Sequence, residues 1–214
     1  MRDESDHKSN GKQTRGAAGR RVRADAQRSV DALLKAAMAV FATSGVDAPV
    51  REIAEKAGVG IGTVYRNFPQ RSDLVAAVFR QEVDACADAA PVLAADHEPG
   101  EALARWMQRY AAFIAAKRGL ATALHSGDPT FDSLPAYFEQ RLRPALRTLL
   151  DAAAAAGAIR GDIDPEELLG AVASLCMSTH DKRPDHARRM VALLVDGLRY
   201  GAKPGRRQAL EFPA

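Results

Sequence analysis

The sequence predicts an all-α protein of about nine helices, with a small N-terminal head of three helices and a larger helical domain behind it. Apolar residues recur at spacings of three and four residues along almost the whole chain, which is the periodicity of a helix that buries one face. No segment shows a convincing strand pattern. The 214 residues are 47% hydrophobic, which is enough for a substantial core.

The first three helices are bounded by turn-forming residues. Apolar positions in residues 30–41 predict the first helix, and Gly45 stands where its end needs a left-handed residue. Pro49 begins a second short helix, which Gly58 ends. Residues 61–67 form a predicted third helix that stops before the Phe-Pro pair. Two short helices joined by a glycine-rich turn therefore follow the first helix.

The later helices alternate with short loops. A fourth helix is expected to run from about residue 72 to residue 90, where Pro91 should break it. Two shorter helices lead to the longest one, residues 134–156, which contains Pro144. Asp164, followed by Pro and two Glu residues, is the strongest helix start signal in the chain, because a side-chain acceptor and first-turn carboxylates suit a helix N-terminus. A ninth helix should end at about residue 200.

Charge and cysteine content narrow the class of protein. Residues 1–80 hold 14 Lys and Arg against 9 Asp and Glu, whereas residues 81–214 hold 16 against 18. The excess of basic residues in the N-terminal part indicates that this part binds a polyanion. The alternative is a basic face that is merely solvated. Cys86 and Cys176 fall in apolar helical patterns and are expected to be buried thiols of a reducing compartment. With no targeting or membrane-spanning pattern, a cytoplasmic location is expected.

The stretch AGVGIGTVYRNFP, residues 57–69, raises the question of which phosphate its glycines approach. A dinucleotide fingerprint needs a preceding strand and a third glycine, but the preceding residues favour a helix and the third position is Thr63. A Walker loop needs a lysine that is absent here. The remaining interpretations are a helix-turn-helix that binds DNA and an ordinary corner between two packed helices.

The segment VREIAEKAGVGIGTVYRNFPQRSDLVAAVF resembles the DNA-binding region of the tetracycline-repressor (TetR) family of bacterial transcription regulators. The resemblance lies in the runs I-A-x-x-A-G-V, G-T-V-Y-x-x-F and P-x-R-x-x-L, and it covers about residues 27–80. Farther on, RYAAFIAAKRGLATAL and LLVDGLRYGA are similar to the SbtR-like C-terminal domain of some members. The resemblance thus extends over most of the chain.

This resemblance implies a domain plan and a function. Residues 1–26 are expected from their composition to be a disordered basic arm and residues 203–214 a flexible tail. The resemblance would make residues 27–72 the helix-turn-helix DNA-binding domain and residues 73–202 the effector-binding and dimerisation domain. The protein would be a homodimeric repressor that binds a palindromic double-stranded DNA operator and is released by an unidentified small-molecule effector. No enzyme activity, cofactor, metal or membrane partner is expected. A helical interaction module and a nucleotide-binding enzyme are the alternatives.

Eight residues match positions that contact DNA in the family. Arg51 would reach a base edge, the hydroxyls of Thr63 and Tyr65 would bind phosphates, and Arg71 would fix the DNA backbone. Many members have lysine where this chain has Ile61, which favours an apolar contact there. The expected DNA-binding residues are Arg51, Ile61, Gly62, Thr63, Tyr65, Arg66, Asn67 and Arg71.

Two further sets of residues are expected in the C-terminal domain. An apolar effector pocket with a polar handle would be lined by Trp106, Tyr110, Phe113, His125, Phe138 and Met177, although aromatic residues at helical spacing are also what a plain core contains. A dimer interface on the last two helices would include Leu168, Val172, Leu175, Val191, Leu194 and Leu198, with packing inside their own core as the alternative.

Overall fold

The computed structural model describes residues 11–117, 120–177 and 185–200, and within these ranges it contains nine α-helices and no strand. The predicted all-α fold is confirmed. The chain divides into two compact units, Met1–Val78 and Phe79–Ala214, and the fourth helix contributes to both. The helices are α1 (Gly11–Ser44), α2 (Val50–Ala57), α3 (Ile61–Asn67), α4 (Arg71–Asp96), α5 (Pro99–Lys117), α6 (Ala121–Leu124), α7 (Leu134–Ala155), α8 (Pro165–Met177) and α9 (Asp185–Tyr200).

Helix α1 begins earlier than the sequence predicts. Residues 11–26, assigned by composition to a disordered arm, are helical and continue without a break into the amphipathic part of α1. Alanine and arginine account for eight of these sixteen residues, and both are good helix formers, so a helix nucleated farther along can propagate through them. Residues 1–10 and the predicted tail at 203–214 lie outside the described residues.

The first unit has a small core made by the apolar faces of its helices. Phe41 on α1, Ile53 on α2 and Val64 on α3 are all buried, and α2 packs against both α1 and α3. Leu74 and Val75 complete this core from the first turns of α4.

Helix α4 does not end at Pro91, and the predicted break there is wrong. The helix continues to Asp96, with the backbone N–H of the following His97 bonded to the carbonyl of Leu93. A proline removes one helical hydrogen bond, but the residues after it, VLAAD, include good helix formers that restore the ladder.

The second unit is organised around α5. Trp106, Met107 and Tyr110 are almost completely buried, and α5 packs against α7, α8 and α9. The predicted start of α8 is confirmed, because Asp164 Oδ1 accepts hydrogen bonds from the backbone N–H groups of Glu166 and Glu167 at 2.8 and 3.2 Å. Within the described ranges, none of the helices has the length and apolar character that a membrane crossing requires.

Candidate nucleic-acid interface and apolar cavity

The turn between α2 and α3 is specified by its local sequence. Gly58 has φ +68° and ψ 28°, a left-handed conformation that glycine adopts without strain. The N–H of Gly58 bonds to the carbonyl of Glu55, and the N–H of Val59 bonds to the carbonyl of Ala54 at 3.0 Å, the pair of bonds of a Schellman motif. Gly60 is extended at φ −70°, a conformation open to any residue, so the chain reversal depends on Gly58.

Helix α3 presents most of its surface to solvent. Val64 is buried in the head, whereas Ile61 and Tyr65 are 47% and 52% exposed, which is unusual for large apolar side chains. Gly62 and Arg66 are exposed as well. The apolar ring of Tyr65, the guanidinium of Arg66 and the bare backbone of Gly62 therefore share a short outward-facing helix that can lie against a groove.

Three other predicted contact residues lie on or beside this surface. Arg51 is 81% exposed at the side chain and its Nε lies 3.0 Å from Glu55 Oε1, an ion pair that solvent screens and that a DNA base or phosphate can replace. The Thr63 N–H donates to the carbonyl of Gly60 at 2.8 Å, which orders the start of α3. Asn67 Nδ2 donates to the carbonyl of Thr63 at 2.8 Å, so its amide group closes the end of the helix.

Arg71 has a different environment from the one expected for a residue that binds a backbone phosphate. Its guanidinium is partly buried and donates to the carbonyl of Val46 and, at 2.8 Å, to the carbonyl of Ala48. Both acceptors belong to the loop between α1 and α2. Arg71 thus holds this loop against the start of α4, and the planar fork of its donors suits two adjacent carbonyls.

The second unit contains an apolar cavity of about 490 Å³, a volume typical of small-molecule sites. Three of the residues expected at an effector pocket, Tyr110, His125 and Phe138, line it. Trp106 and Phe113 are buried in the core and are not among the lining residues. The side chain of Met177 lies outside the described residues. The lining residues are Tyr110, Ile114, Lys117, Ala121, His125, Phe138, Glu139, Glu166, Leu169, Gly170 and Ala173.

The polar groups of the two core aromatic residues are already satisfied. Trp106 Nε1 donates to the carbonyl of Cys86 at 2.9 Å, and the Tyr110 hydroxyl donates to the carbonyl of Leu169 at 3.2 Å. Burial raises the pKa of Tyr110 and keeps its hydroxyl protonated. Tyr110 therefore offers the cavity a ring face, while its hydroxyl serves the packing of α5 on α8.

Lys117, at the end of α5, is a cavity residue that the sequence patterns do not single out. It lines the cavity, and its ammonium lies 5.4 Å from the ring centroid of Phe79 and 5.9 Å from that of Phe138, within cation–π range. Burial lowers the pKa of Lys117. Lys117 follows Phe113 by four residues and Ile114 by three, which places its cation on the apolar face of α5.

The residues expected at a dimer interface lie mainly in the core of their own unit. Leu168, Val172, Val191 and Leu198 are buried, whereas Leu175 and Leu194 are half-buried. These four buried residues therefore pack inside their own chain, which is the alternative interpretation of the sequence pattern. A different apolar residue of α9, Leu193, is 65% exposed and faces outward.

No group of metal-ligating side chains occurs within the described part of the chain. A helix-turn-helix head followed by a helical domain that contains an apolar cavity is typical of ligand-responsive DNA-binding proteins. The family model for bacterial regulatory proteins of the TetR family matches residues 33–78, and the model for the C-terminal domain of SbtR-like transcriptional regulators matches residues 98–200.

Solved structures give the same result. The TetR transcriptional regulator SCO0520 from Streptomyces coelicolor is 41% identical, with a TM-score of 0.69, over 79% of this chain and 97% of that one. A TetR regulatory protein from Mycobacterium vanbaalenii is 36% identical, with a TM-score of 0.64, over 83% and 99%. Among curated proteins, none matches this chain. The protein belongs to the TetR family of bacterial transcriptional regulators, with an SbtR-like C-terminal domain.

The fold also recurs in more distant regulators. FadR from Bacillus subtilis, in a structure with stearoyl-CoA, is 17% identical to this chain and has a TM-score of 0.60, over 80% of this chain and 98% of that one. At this identity the comparison establishes a shared fold.

Proposed function

We propose that the protein is a homodimeric repressor that binds a palindromic operator and releases it when a small molecule occupies the cavity beside Tyr110 and Lys117. The observation that carries the proposal is the outward face of α3, where Ile61 and Tyr65 are half exposed beside the bare backbone of Gly62. Because Ile61 and Tyr65 are four residues apart on α3, they form one exposed apolar patch, which is a feature of binding surfaces. A major groove accepts a helix of this size.

A single α3 helix spans few base pairs, so specific binding needs two heads related by a two-fold axis. We place the interface between subunits on the outward face of α9 that carries Leu193, where Gly197, one turn farther along, is also exposed and allows another helix to approach closely. Repression follows if a dimer on a promoter blocks polymerase. The protein acts by binding and not by catalysis, in the cytoplasm where the DNA lies.

The DNA-binding half is tested by selecting duplexes from a random pool with the purified full chain. A two-fold symmetric consensus is expected, and binding should weaken as salt rises, because DNA phosphates neutralised by the protein release their counterions. Tyr65→Phe keeps the ring and removes the hydroxyl. It should lower affinity for every duplex and leave the salt slope unchanged, because a neutral hydroxyl that bonds to a phosphate displaces no counterion. Selection that returns no common sequence, or equal affinity for Tyr65→Phe, would contradict the proposed binding surface of the head.

A further inference from the structure

Lys117 is a half-buried cation of the second unit whose ammonium faces two aromatic rings and lines a cavity. Burial lowers the pKa of Lys117, because it disfavours the charged ammonium. Its ammonium is held against Phe79 and Phe138, which give only part of the stabilisation that water or an anion would give. An anion that binds beside this partly desolvated ammonium would therefore stabilise its charge.

A second cavity of about 470 Å³ adjoins the first and shares Lys117, His125, Phe138 and Glu139 with it. Lys117 therefore lies where the two cavities meet, with apolar surface on both sides: Ile114 and Leu169 line the first cavity, and Leu134 lines the second. A ligand that fills this space needs a small charged group at Lys117 and a longer apolar part extending away from it.

His125 adds a second polar group at the same place. Its Nδ1 lies 2.7 Å from the carbonyl oxygen of Ala121, and since a carbonyl oxygen only accepts, Nδ1 carries the hydrogen. Nε2 is then the ring nitrogen that can meet a ligand. Glu139 and Glu166 also line the first cavity, but both are exposed, so solvent screens their charges. An organic cation is disfavoured, because the Lys117 ammonium already occupies the ring faces of Phe79 and Phe138.

We propose that the effector is an amphipathic monocarboxylate whose carboxylate pairs with Lys117 and whose apolar part lies against Tyr110 and Phe138. The proposal rests on effector control as the function of the cavity, and it specifies the chemical class of the effector. A charge-assisted hydrogen bond from a partly buried ammonium is among the stronger polar interactions in proteins. The carboxylate should therefore matter more for affinity than the exact shape of the apolar part.

The test uses isothermal titration calorimetry on the full chain with matched probes: 4-phenylbutyrate and octanoate, each beside its amide and its amine. At least one carboxylate should bind about 10- to 100-fold more tightly than its amide. Lys117→Met, which keeps the length and loses the charge, should reduce this preference to less than about threefold. Lys117→Arg should retain it, and Lys35→Met, a change at an exposed lysine of α1, should leave it unaltered.

Three results would overturn the proposal: an amide or amine that binds as tightly as its acid, an unchanged preference in Lys117→Met, or no binding by either carboxylate. Thermal melting of each variant separates loss of binding from loss of fold. Affinity for the selected duplex is measured in parallel. If duplex binding persists without a carboxylate preference, the proposed class of ligand is wrong, whereas the proposed function as a DNA-binding regulator stands. If the preference is present but no duplex binds, the failure belongs to the proposed function.

Discussion

Substitution of Gly62 on α3 should have opposite effects on the stability of the fold and on the affinity for DNA. It is exposed and helical, and a Cβ built on it meets no atom within 4 Å. Nothing in the fold requires a glycine there, and a glycine inside a helix costs about 0.5–1 kcal/mol relative to alanine. Gly62→Ala is therefore expected to increase the free energy of unfolding by about 0.5–1 kcal/mol.

The same substitution should weaken DNA binding. In the proposed complex, α3 lies in the major groove with Gly62 at the end that meets base edges, where the added methyl would keep the backbone from its closest approach. Distorting a hydrogen bond to a base edge costs about 1–3 kcal/mol. Since 1.4 kcal/mol corresponds to a factor of ten, affinity for the selected duplex should fall about 5- to 150-fold.

Urea denaturation and duplex titration of the same preparation measure the two effects. Gly58→Ala is the matched control, because Gly58 has equally open surroundings but a φ of +68°. Alanine is strained there by about 1–2 kcal/mol, so Gly58→Ala should destabilise the head. Unchanged duplex affinity in Gly62→Ala would refute the close approach of the backbone. A loss of stability in Gly62→Ala would refute the open surroundings of this helix position.

Arg71→Met should lower the free energy of unfolding by about 2 kcal/mol in urea, because two loop carbonyls lose their donor; unchanged stability with weaker duplex binding would instead assign Arg71 to a phosphate. Burial raises the pKa of Cys86 to about 12, so at pH 8 about one thiol in ten thousand is ionised in the native state. Iodoacetamide should leave it unlabelled in mass spectra until the protein unfolds, and rapid native labelling would contradict its burial. Leu193→Asp should convert the proposed dimer to a monomer in sedimentation, whereas Val92→Asp, at a residue 58% exposed on α4, should leave it a dimer; a dimer in both variants would place the interface elsewhere.

Local signals in the sequence determine much of the head. Gly58 ends α2 through its own conformation and two backbone bonds, and α3 has the predicted bounds, residues 61–67, because both of its ends are set by neighbouring residues. Arg71 could not be interpreted in this way. Its role depends on the carbonyls of Val46 and Ala48, which precede it by more than twenty residues and come close only in the folded chain.

The helical spacing of apolar residues predicts which face of α5 is buried, but it does not predict which of those residues line the cavity. Trp106, Tyr110 and Phe113 share one apolar face of α5, and the spacing alone cannot tell which of them meets another helix and which meets open space. Tyr110 reaches the cavity, because the neighbouring positions Leu169, Gly170 and Ala173 on α8 leave room beside it. Lys117 gives no distinctive sequence signal of a ligand site, because a cation at a helix C-terminus is ordinarily a favourable partner of the helix dipole.

Trp106 is the single tryptophan in the chain, and its ring is fully buried. It stacks on Tyr110 with the ring centroids 5.7 Å apart and the planes inclined by 11°, and Tyr110 in turn forms part of the cavity wall. The unlabelled protein therefore carries a fluorophore one ring away from the cavity, with no second indole to obscure it. A shift in its emission on adding a carboxylate would report occupation of the cavity directly, before any operator is known.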